Sequence, residues 1–252
     1  YGADIRLPGL LHARTLQSPH AHARIKKIDA SRALALSGVR AVVTAADLAP
    51  LPAELDAAAF NLCNALARDK VLYKGHPVAA VCATNLHIAE EALELIDVDY
   101  DVLPAVFTVE EAMSVGAPVL HEDLPPLSPV AGDAPSQNVA TRSEMVLGDL
   151  EQGFAEAEIV VERETTTVPV HQGYIEPHSG TAMWHEDGNL TVWSSSQGHF
   201  NVRDFTASAL GIPVSSVKAV PLEIGGGFGA KLRVYVEPVA AALARKAHAP
   251  VK

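Results

Sequence analysis

Cysteine is scarce: Cys63 and Cys82 are the only two among 252 residues. They make no C-x-x-C pair and no zinc or iron–sulfur spacing, which excludes a disulfide framework and a cysteine-held cluster. Both read as small buried apolar residues suited to a reducing compartment. Long apolar runs are also missing, since none approaches the ~18 residues of a membrane span, and no signal peptide is visible. Basic runs are missing too. With 30 acidic against 19 basic side chains the formal charge is −11, which argues against nucleic acid and anionic membranes as partners. There is no internal repeat, no low-complexity array and no initiating Met. The chain opens at Tyr1-Gly2-Ala3-Asp4 and stops at Pro250-Val251-Lys252, straight after a helical pattern, so it is expected to be part of a longer polypeptide.

What is present is ordinary for a globular protein: 48% apolar and 19% charged residues, enough for one large or two moderate cores. Strand patterns cover Leu10–Leu16, Ala21–Ile28 and Val39–Thr44. A short helix starts after Asp29 with Gly38 as its C-cap, and Thr44 to Asp47 has the form of a capping box. Residues 49–68 are ambiguous. Lys70 to Pro77 reads as a strand ending in a turn. Val78–Ala83 is continuously apolar and predicts a strand buried on both faces. Asn85 caps a helix over Leu86–Leu95, and residues 96–102 alternate as a half-buried strand. Together these predict a compact α+β unit over 1–113.

Residues 114–142 hold five prolines between Pro118 and Pro135 and read as an irregular connector. The unit expected over 143–252 has a helix over 148–157 and a long strand over Ile159–Val168. A hairpin of Ser179–Trp184 and Leu190–Ser195 follows. Next come a helix over Phe200–Leu210 closed by Gly211, a strand from Val217 to Ile224, and an alanine-rich helix over Val239–Ala247 with Pro238 near its first turn.

Gly225-Gly226-Gly227-Phe228-Gly229-Ala230-Lys231 cannot be the interior of a helix or strand, because glycine there loses the most backbone entropy and packs nothing. Three readings compete. The simplest is a glycine-rich connection without a ligand. Gly225, Gly227 and Ala230 also fit G-x-G-x-x-A after a strand, but the chain ends where the ribose-binding acid is expected. A P-loop fails, because Leu232 follows Lys231 where Ser or Thr is required. The third reading is backbone amides offered to an anionic or oxo group. The 11 histidines invite a metal reading: His20 and His22 would share a strand face, and His171, His178 and His185 recur every seven residues. No carboxylate or cysteine completes a set, so satisfied or surface histidines are expected.

Read together, several segments resemble the α/β-hammerhead domain of the xanthine dehydrogenase and aldehyde oxidase family. They are Leu10 to Arg14, Ser18 to Ile25, Gly38 to Asp47, Tyr73 to Ala79 and Val98 to Pro104. Gly148-Asp149-Leu150, Ile175-Glu176-Pro177-His178, Trp193 to Gln197 and the glycine loop are similar to the start of that family's molybdopterin-binding domain. The resemblance implies an α+β fold: a hammerhead domain followed by the first part of a mixed α/β molybdopterin-binding domain. It implies a molybdenum-dependent hydroxylase or dehydrogenase subunit that oxidises an aldehyde, N-heterocycle or other small electrophile with water-derived oxygen. The cofactor would be molybdenum-molybdopterin in its cytosine dinucleotide form, with FAD and 2Fe-2S centres on partner subunits or domains. A cytoplasmic oligomer without a membrane span or nucleic-acid partner is expected.

Gln197 matches the glutamine whose amide bonds a molybdenum oxo ligand. Phe228 matches the residue whose backbone faces the metal and whose ring borders the substrate. Gly198, Gly227 and Gly229 would let the chain pass the cofactor. Two departures stand out. Leu232 occupies the place of the acid that orients purines in purine-oxidising members, and the family's catalytic glutamate lies downstream, so this stretch alone is expected to be inactive. Neither Glu176 nor Glu223 takes that role: Glu176 belongs to a shared structural motif and Glu223 to the strand before the loop. A dinucleotide-binding dehydrogenase domain and a non-catalytic docking scaffold remain as alternatives.

Overall fold

A computed structural model describes residues 1–51, 62–122, 137–139 and 143–252. Strands and α-helices follow one another along the described residues. They are β1 (His12–Gln17), β2 (Ala23–Asp29), α1 (Ser31–Ala35), β3 (Val39–Thr44), β4 (Lys70–Val71), β5 (Pro77–Ala83), α2 (Leu86–Glu94) and β6 (Asp97–Val102). After these come α3 (Val109–Met113), α4 (Leu150–Glu156), β7 (Gly180–Trp184), β8 (Leu190–Ser194), α5 (His199–Leu210), β9 (Val217–Pro221) and α6 (Glu237–Ala247). The strands make three sheets of order β1–β5–β3, β4–β2–β6 and β7–β8–β9. The fold is thus mixed helix and sheet, as the residue patterns imply.

The organising strand is β5. It pairs antiparallel with β1 on one side and β3 on the other, and every residue after Pro77 is buried. Alternation divides its side chains between two cores. Ala79, Val81 and Ala83 pack with Val42, Ala89 and Ala92, that is, against α2. Ala80 and Cys82 face the other way, into a cluster shared with Ala41, Val43 and the Val239–Ala244 face of α6. The largest core therefore joins residues from both expected units. Burial pushes the Cys82 thiol up to about 11, so the thiol is inert packing. The final residues close the join: Val251 exchanges backbone hydrogen bonds with Ala182 of β7, and Pro250 and Lys252 bond Leu11.

Caps set several boundaries as expected. The Asn85 side chain accepts from the Ile88 N–H, and Thr44 with Asp47 forms the capping box. Gly211 closes α5 in the left-handed conformation. Other boundaries differ. Helix α1 ends on Leu36 in an extended conformation, and Gly38, with φ +97°, is the turn into β3 rather than a C-cap. Strand β4 is only two residues long. Strand β9 stops at Pro221, so Glu223 lies outside it. Helix α6 begins two residues earlier than expected, with Glu237 and Pro238 in its first turn.

The largest departure is Ile159–Val168. The sequence has strand composition, but these residues carry no regular secondary structure, and Ile159, Val160, Val161 and Val168 are exposed. Strand propensity is realised only against a neighbouring strand, and among the described residues none lies alongside. Of the ambiguous stretch, 52–61 lies outside the described residues, while Leu62, Ala65, Leu66 and Ala67 are buried. Of the expected connector, 123–136 and 140–142 lie outside them.

The β4–β5 turn and the segment 62–67 meet around His76, which is 1% exposed. Its Nδ1 accepts from the Leu72 N–H at 3.3 Å, and its Nε2–H donates to the Cys63 carbonyl at 3.1 Å. The ring also stacks on Tyr73. This wiring requires the neutral ring. Desolvation lowers its pKa to about 4, against the opposing bond to the Cys63 carbonyl. Because the folded value lies below the unfolded one, the unfolded chain binds the proton first. Stability is then complete above about pH 6.5 and falls as pH drops toward 4. The loss amounts to roughly 3 kcal/mol by the time both states are protonated. Urea unfolding of the wild type and His76→Gln between pH 4 and 7 checks this. The wild type should weaken across that window by clearly more than the variant, and equal slopes would refute the assignment.

Candidate functional site

The site begins with two neighbouring strands. Strands β8 and β9 run parallel with Ser194 opposite Pro221, and α5 crosses between them. Their carboxyl ends therefore lie together. Chain leaving β8 becomes Ser195-Ser196-Gln197-Gly198, and chain leaving β9 becomes the glycine loop. Ligands of open α/β sheets bind at such ends.

The two segments meet atom to atom. Gln197 Oε1 accepts the Gly229 N–H at 3.0 Å and the Lys231 N–H at 3.3 Å. The Gln197 N–H donates to the Lys231 carbonyl at 2.9 Å, and Ser196 Oγ donates to that same carbonyl at 2.9 Å. With Oε1 committed to backbone donors, the Gln197 Nε2 group is the free end of the amide. Among the described residues it has no protein acceptor. The same holds for the N–H groups of Gly226, Gly227 and Phe228, whereas Gly225, Gly229, Ala230 and Lys231 donate within the protein. The loop is therefore half satisfied: its flanks are pinned and its crest presents donors.

Backbone geometry explains the glycines. Gly226 and Gly229 take φ of +92° and +95°, which side chains resist. Gly227 needs space instead: a Cβ there would lie 2.5 Å from Gln197 Oε1. Phe228 holds φ +50°, a strained value for an aromatic residue, and is 73% exposed. Gly198 is the N-cap of α5, and its N–H donates to Ser196 Oγ. A Cβ there would meet the Asn201 side chain at 2.8 Å rather than the loop. Because α5 has no side-chain cap, its first N–H groups add positive potential beside Gln197.

Beside the loop lies an ion pair between a buried lysine and a half-buried glutamate. Lys231 is 1% exposed, and its Nζ donates to Glu176 Oε2 at 2.7 Å. Glu176 Oε2 also accepts the Gly225 N–H at 2.8 Å, and Oε1 accepts from the Gly2 N–H at 3.2 Å. Desolvation raises the Glu176 pKa, but Lys231 and these amides outweigh it and hold the carboxyl below its ordinary value. The Lys231 ammonium also lies 5.2 Å over the Tyr174 ring. His178 sits edge-on to Tyr174 and Tyr235, and desolvation followed by the Lys231 charge lowers its pKa. A second buried acid, Glu237, accepts from Ser194 Oγ at 2.5 Å and from the Tyr235 N–H. Burial pushes its pKa up. These bonds tie β8 to the start of α6, so Glu237 is a strut and offers no proton-transfer group.

The five residues expected at the site are therefore distributed clearly. Gln197, Gly227 and Gly229 touch one another, Phe228 crowns the loop, and Gly198 serves the helix start. Sequence reading assigned Lys231 and Glu176 only to separate motifs. Their pairing, 55 residues apart in sequence, has no local signal beyond a lysine directly after a glycine loop. Among the described residues no group of three His, Cys, Asp or Glu could hold a metal. Strand β2 begins only at Ala23, so His20 and His22 sit in the turn before it. His22 Nδ1–H donates to the Pro104 carbonyl. A cleft of about 1070 Å³ borders Glu176 and His178 but neither Gln197 nor the loop crest. The dinucleotide fingerprint is also excluded by geometry. The loop leads into a one-turn 3-10 segment, Ala230–Leu232, and α6 starts only at Glu237, so the helix that the fingerprint requires directly after the loop is not there.

The donor set suits a molybdenum-pterin group. Neutral side-chain and backbone N–H donors can hold oxo and anionic ligands without protonating them, and the amides of half-buried Gly226 and buried Gly227 lack the protein partners that such groups ordinarily have.

Comparison with known proteins agrees. A family model for the aldehyde oxidase and xanthine dehydrogenase a/b hammerhead domain matches residues 1–104, and one for a molybdopterin cofactor-binding domain matches 131–252. The chain is 37% identical over 250 residues to the carbon monoxide dehydrogenase large chain of Afipia carboxidovorans, covering 97% of this chain and 31% of that protein. It is 37% identical over 248 residues to the carbon monoxide dehydrogenase large chain of Hydrogenophaga pseudoflava, again covering 97% of this chain and 31% of that protein. The structure of reconstituted CO dehydrogenase from Oligotropha carboxidovorans superposes with a TM-score of 0.82 at 35% identity, over 100% of this chain and 32% of that chain. The chain thus spans about a third of the length of these relatives. The two domain matches, in order and joined by one shared core, make this chain a member of the xanthine dehydrogenase and aldehyde oxidase family of molybdopterin-binding large subunits.

Proposed function

We propose that this chain supplies one wall of the cofactor site in a molybdenum hydroxylase large subunit. The intact enzyme oxidises an aldehyde, an N-heterocycle or another small electrophile with water-derived oxygen. Electrons pass to 2Fe-2S and FAD centres on partner subunits or domains of a cytoplasmic oligomer. The cofactor is molybdenum-molybdopterin in its cytosine dinucleotide form. The observation that carries this reading is the convergence of Gln197 on the glycine loop, with its oxygen held by Gly229 and Lys231 and its Nε2 left as a donor.

When bound, the molybdenum-pterin group supplies a two-electron redox centre. The protein's own part is to hold and orient. Gln197 Nε2 would donate a hydrogen bond to the bound group. The N–H groups of Gly226, Gly227 and Phe228 present further donors, and Gly227 leaves room for the Gln197 side chain. The exposed Phe228 ring forms an apolar border for the substrate. Leu232 is 47% exposed beside the loop and offers a substrate no side-chain hydrogen bond. That favours substrates that need no charged partner there over purines. The division into a hammerhead unit over 1–113, a connector over 114–142 and a cofactor unit over 143–252 belongs to the same reading.

Two variants of the intact enzyme test the wall. Gln197→Ala should lower kcat by roughly 10–100-fold, the usual cost of losing a partner of a metal ligand, with a thermal midpoint close to wild type. Unchanged kinetics at full molybdenum loading would refute the role. Gly227→Ala should produce a similar loss by steric means, because its Cβ takes the space of Gln197 Oε1 while its φ lies outside the left-handed region. Combined with Gln197→Ala it should add almost nothing, since both remove the same contact. Steady-state kinetics of the three proteins decide this, and additive losses would count against it.

A further inference from the structure

We propose that Lys231 and Glu176 act as a positioning pair that sets the orientation of the Gln197 amide. The proposal rests on the reading of Gln197 as a donor to the cofactor. Lys231 grips Gln197 at both ends through its backbone: its N–H donates to Gln197 Oε1, and its carbonyl accepts the Gln197 N–H. Where the Lys231 backbone sits therefore decides where Gln197 Nε2 points. That backbone lies in the 3-10 turn Ala230–Leu232, which has no side-chain cap and whose Lys231 departs from helical dihedrals (φ −91°, ψ 16°). The turn alone is a weak anchor. The anchor is the side chain: Lys231 Nζ is buried, 2.7 Å from Glu176 Oε2, with the Tyr174 ring beneath it.

Glu176 is itself fixed from three directions. Its backbone N–H donates to the Gly225 carbonyl at 3.1 Å while its carboxylate accepts the Gly225 N–H, a two-way lock on the start of the loop. Gly225 could not carry a side chain here, because a Cβ would lie 2.4 Å from Glu176 Cβ. The other carboxylate oxygen accepts from Gly2, in the amino-terminal turn that packs against Ser179. One carboxylate thus ties together the chain start, the loop's first residue and the lysine whose backbone aims Gln197. Neither member of the pair touches the crest, so both act through Gln197 and are not catalytic residues.

A purely structural pair behaves differently from a positioning pair once its charges are removed together. Removing one partner leaves the other buried and unpaired, whereas replacing both with neutral groups often restores stability. The test uses the intact subunit complex carrying Lys231→Met, Glu176→Gln, both together, or Glu176→Asp, which keeps the charge and shortens its reach. Thermal midpoint, molybdenum content, the Mo(V) electron paramagnetic resonance signal, kcat and KM are measured. Each charge-removing single variant should lower the midpoint and molybdenum content. The double variant should recover most of the midpoint and yet keep an altered Mo(V) signal and a kcat roughly 10-fold or more below wild type, comparable to Gln197→Ala, with KM little changed. Glu176→Asp should fold normally and show a several-fold loss of kcat with the same altered signal. If it and the double variant both match wild type in kcat and signal, the proposal is overturned and the pair is structural only. A wild-type complex without molybdenum, or a Gln197→Ala variant with unchanged kcat at full loading, would instead overturn the cofactor reading and the positioning role with it. Loss of function in Gln197→Ala without any in the pair variants would overturn the pairing alone.

Discussion

The parallel pairing of β8 and β9 is the constraint from which the rest of the site follows. A parallel pair needs a long crossover, here α5, and in return places both strand ends at one edge. That geometry brings Gln197 and Gly229, 32 residues apart, within 3.0 Å. The last rung between the two strands joins the Leu222 N–H to the Ser194 carbonyl. The loop and the Ser-Ser-Gln turn are then free of the sheet and fold on each other. The interaction that holds them is a small set of hydrogen bonds from Ser196 and Gln197 to the backbone of Gly229 and Lys231.

Strand β5 has a comparable role for the whole chain. Its alternation would be wasted on an edge or a one-sided sheet, and its two buried faces let the hammerhead strands serve as the floor for α6. Helix α6, which follows the glycine loop, is thus built on the amino-terminal strands. Glu176, bonded to Gly2, repeats the arrangement close to the site. A fault in the amino-terminal strands would reach the loop through packing, without any contact with a ligand.

Much of this is legible in the residues themselves. Continuous apolar character predicts that β5 is buried on both faces, and Asn85, Thr44 and Gly211 mark real caps, because these signals act over a few residues. Gln197 and the glycine loop are legible as motifs, but their contact depends on how β8 and β9 pair. The failures share one physical cause, dependence on partners distant in sequence. Ile159–Val168 has the composition of a strand, but composition cannot supply the neighbour that makes one. Lys231 reads as a loop lysine, and nothing local shows that its ammonium is buried against Glu176. Gly227 is legible as a residue without a side chain in a loop, but that a Cβ there would meet the Gln197 amide depends on the same distant pairing.

The electrostatic character of the site follows from these same contacts. The chain carries a formal charge of −11, which alone would repel an anionic pterin. Locally that charge is offset where Glu176 pairs with Lys231. What faces outward is a set of neutral dipoles: the Gln197 amide, three crest N–H groups and the uncapped start of α5. Fixed dipoles of this kind stabilise a negative ligand without donating a proton outright and need little reorganisation as its charge changes. A free lysine at the crest would bind an anion more strongly but would favour protonated oxygen ligands. With the lysine that follows the loop buried against Glu176 and its backbone bonded to Gln197, the donors left at the site are neutral dipoles, which would attract an anion without protonating it.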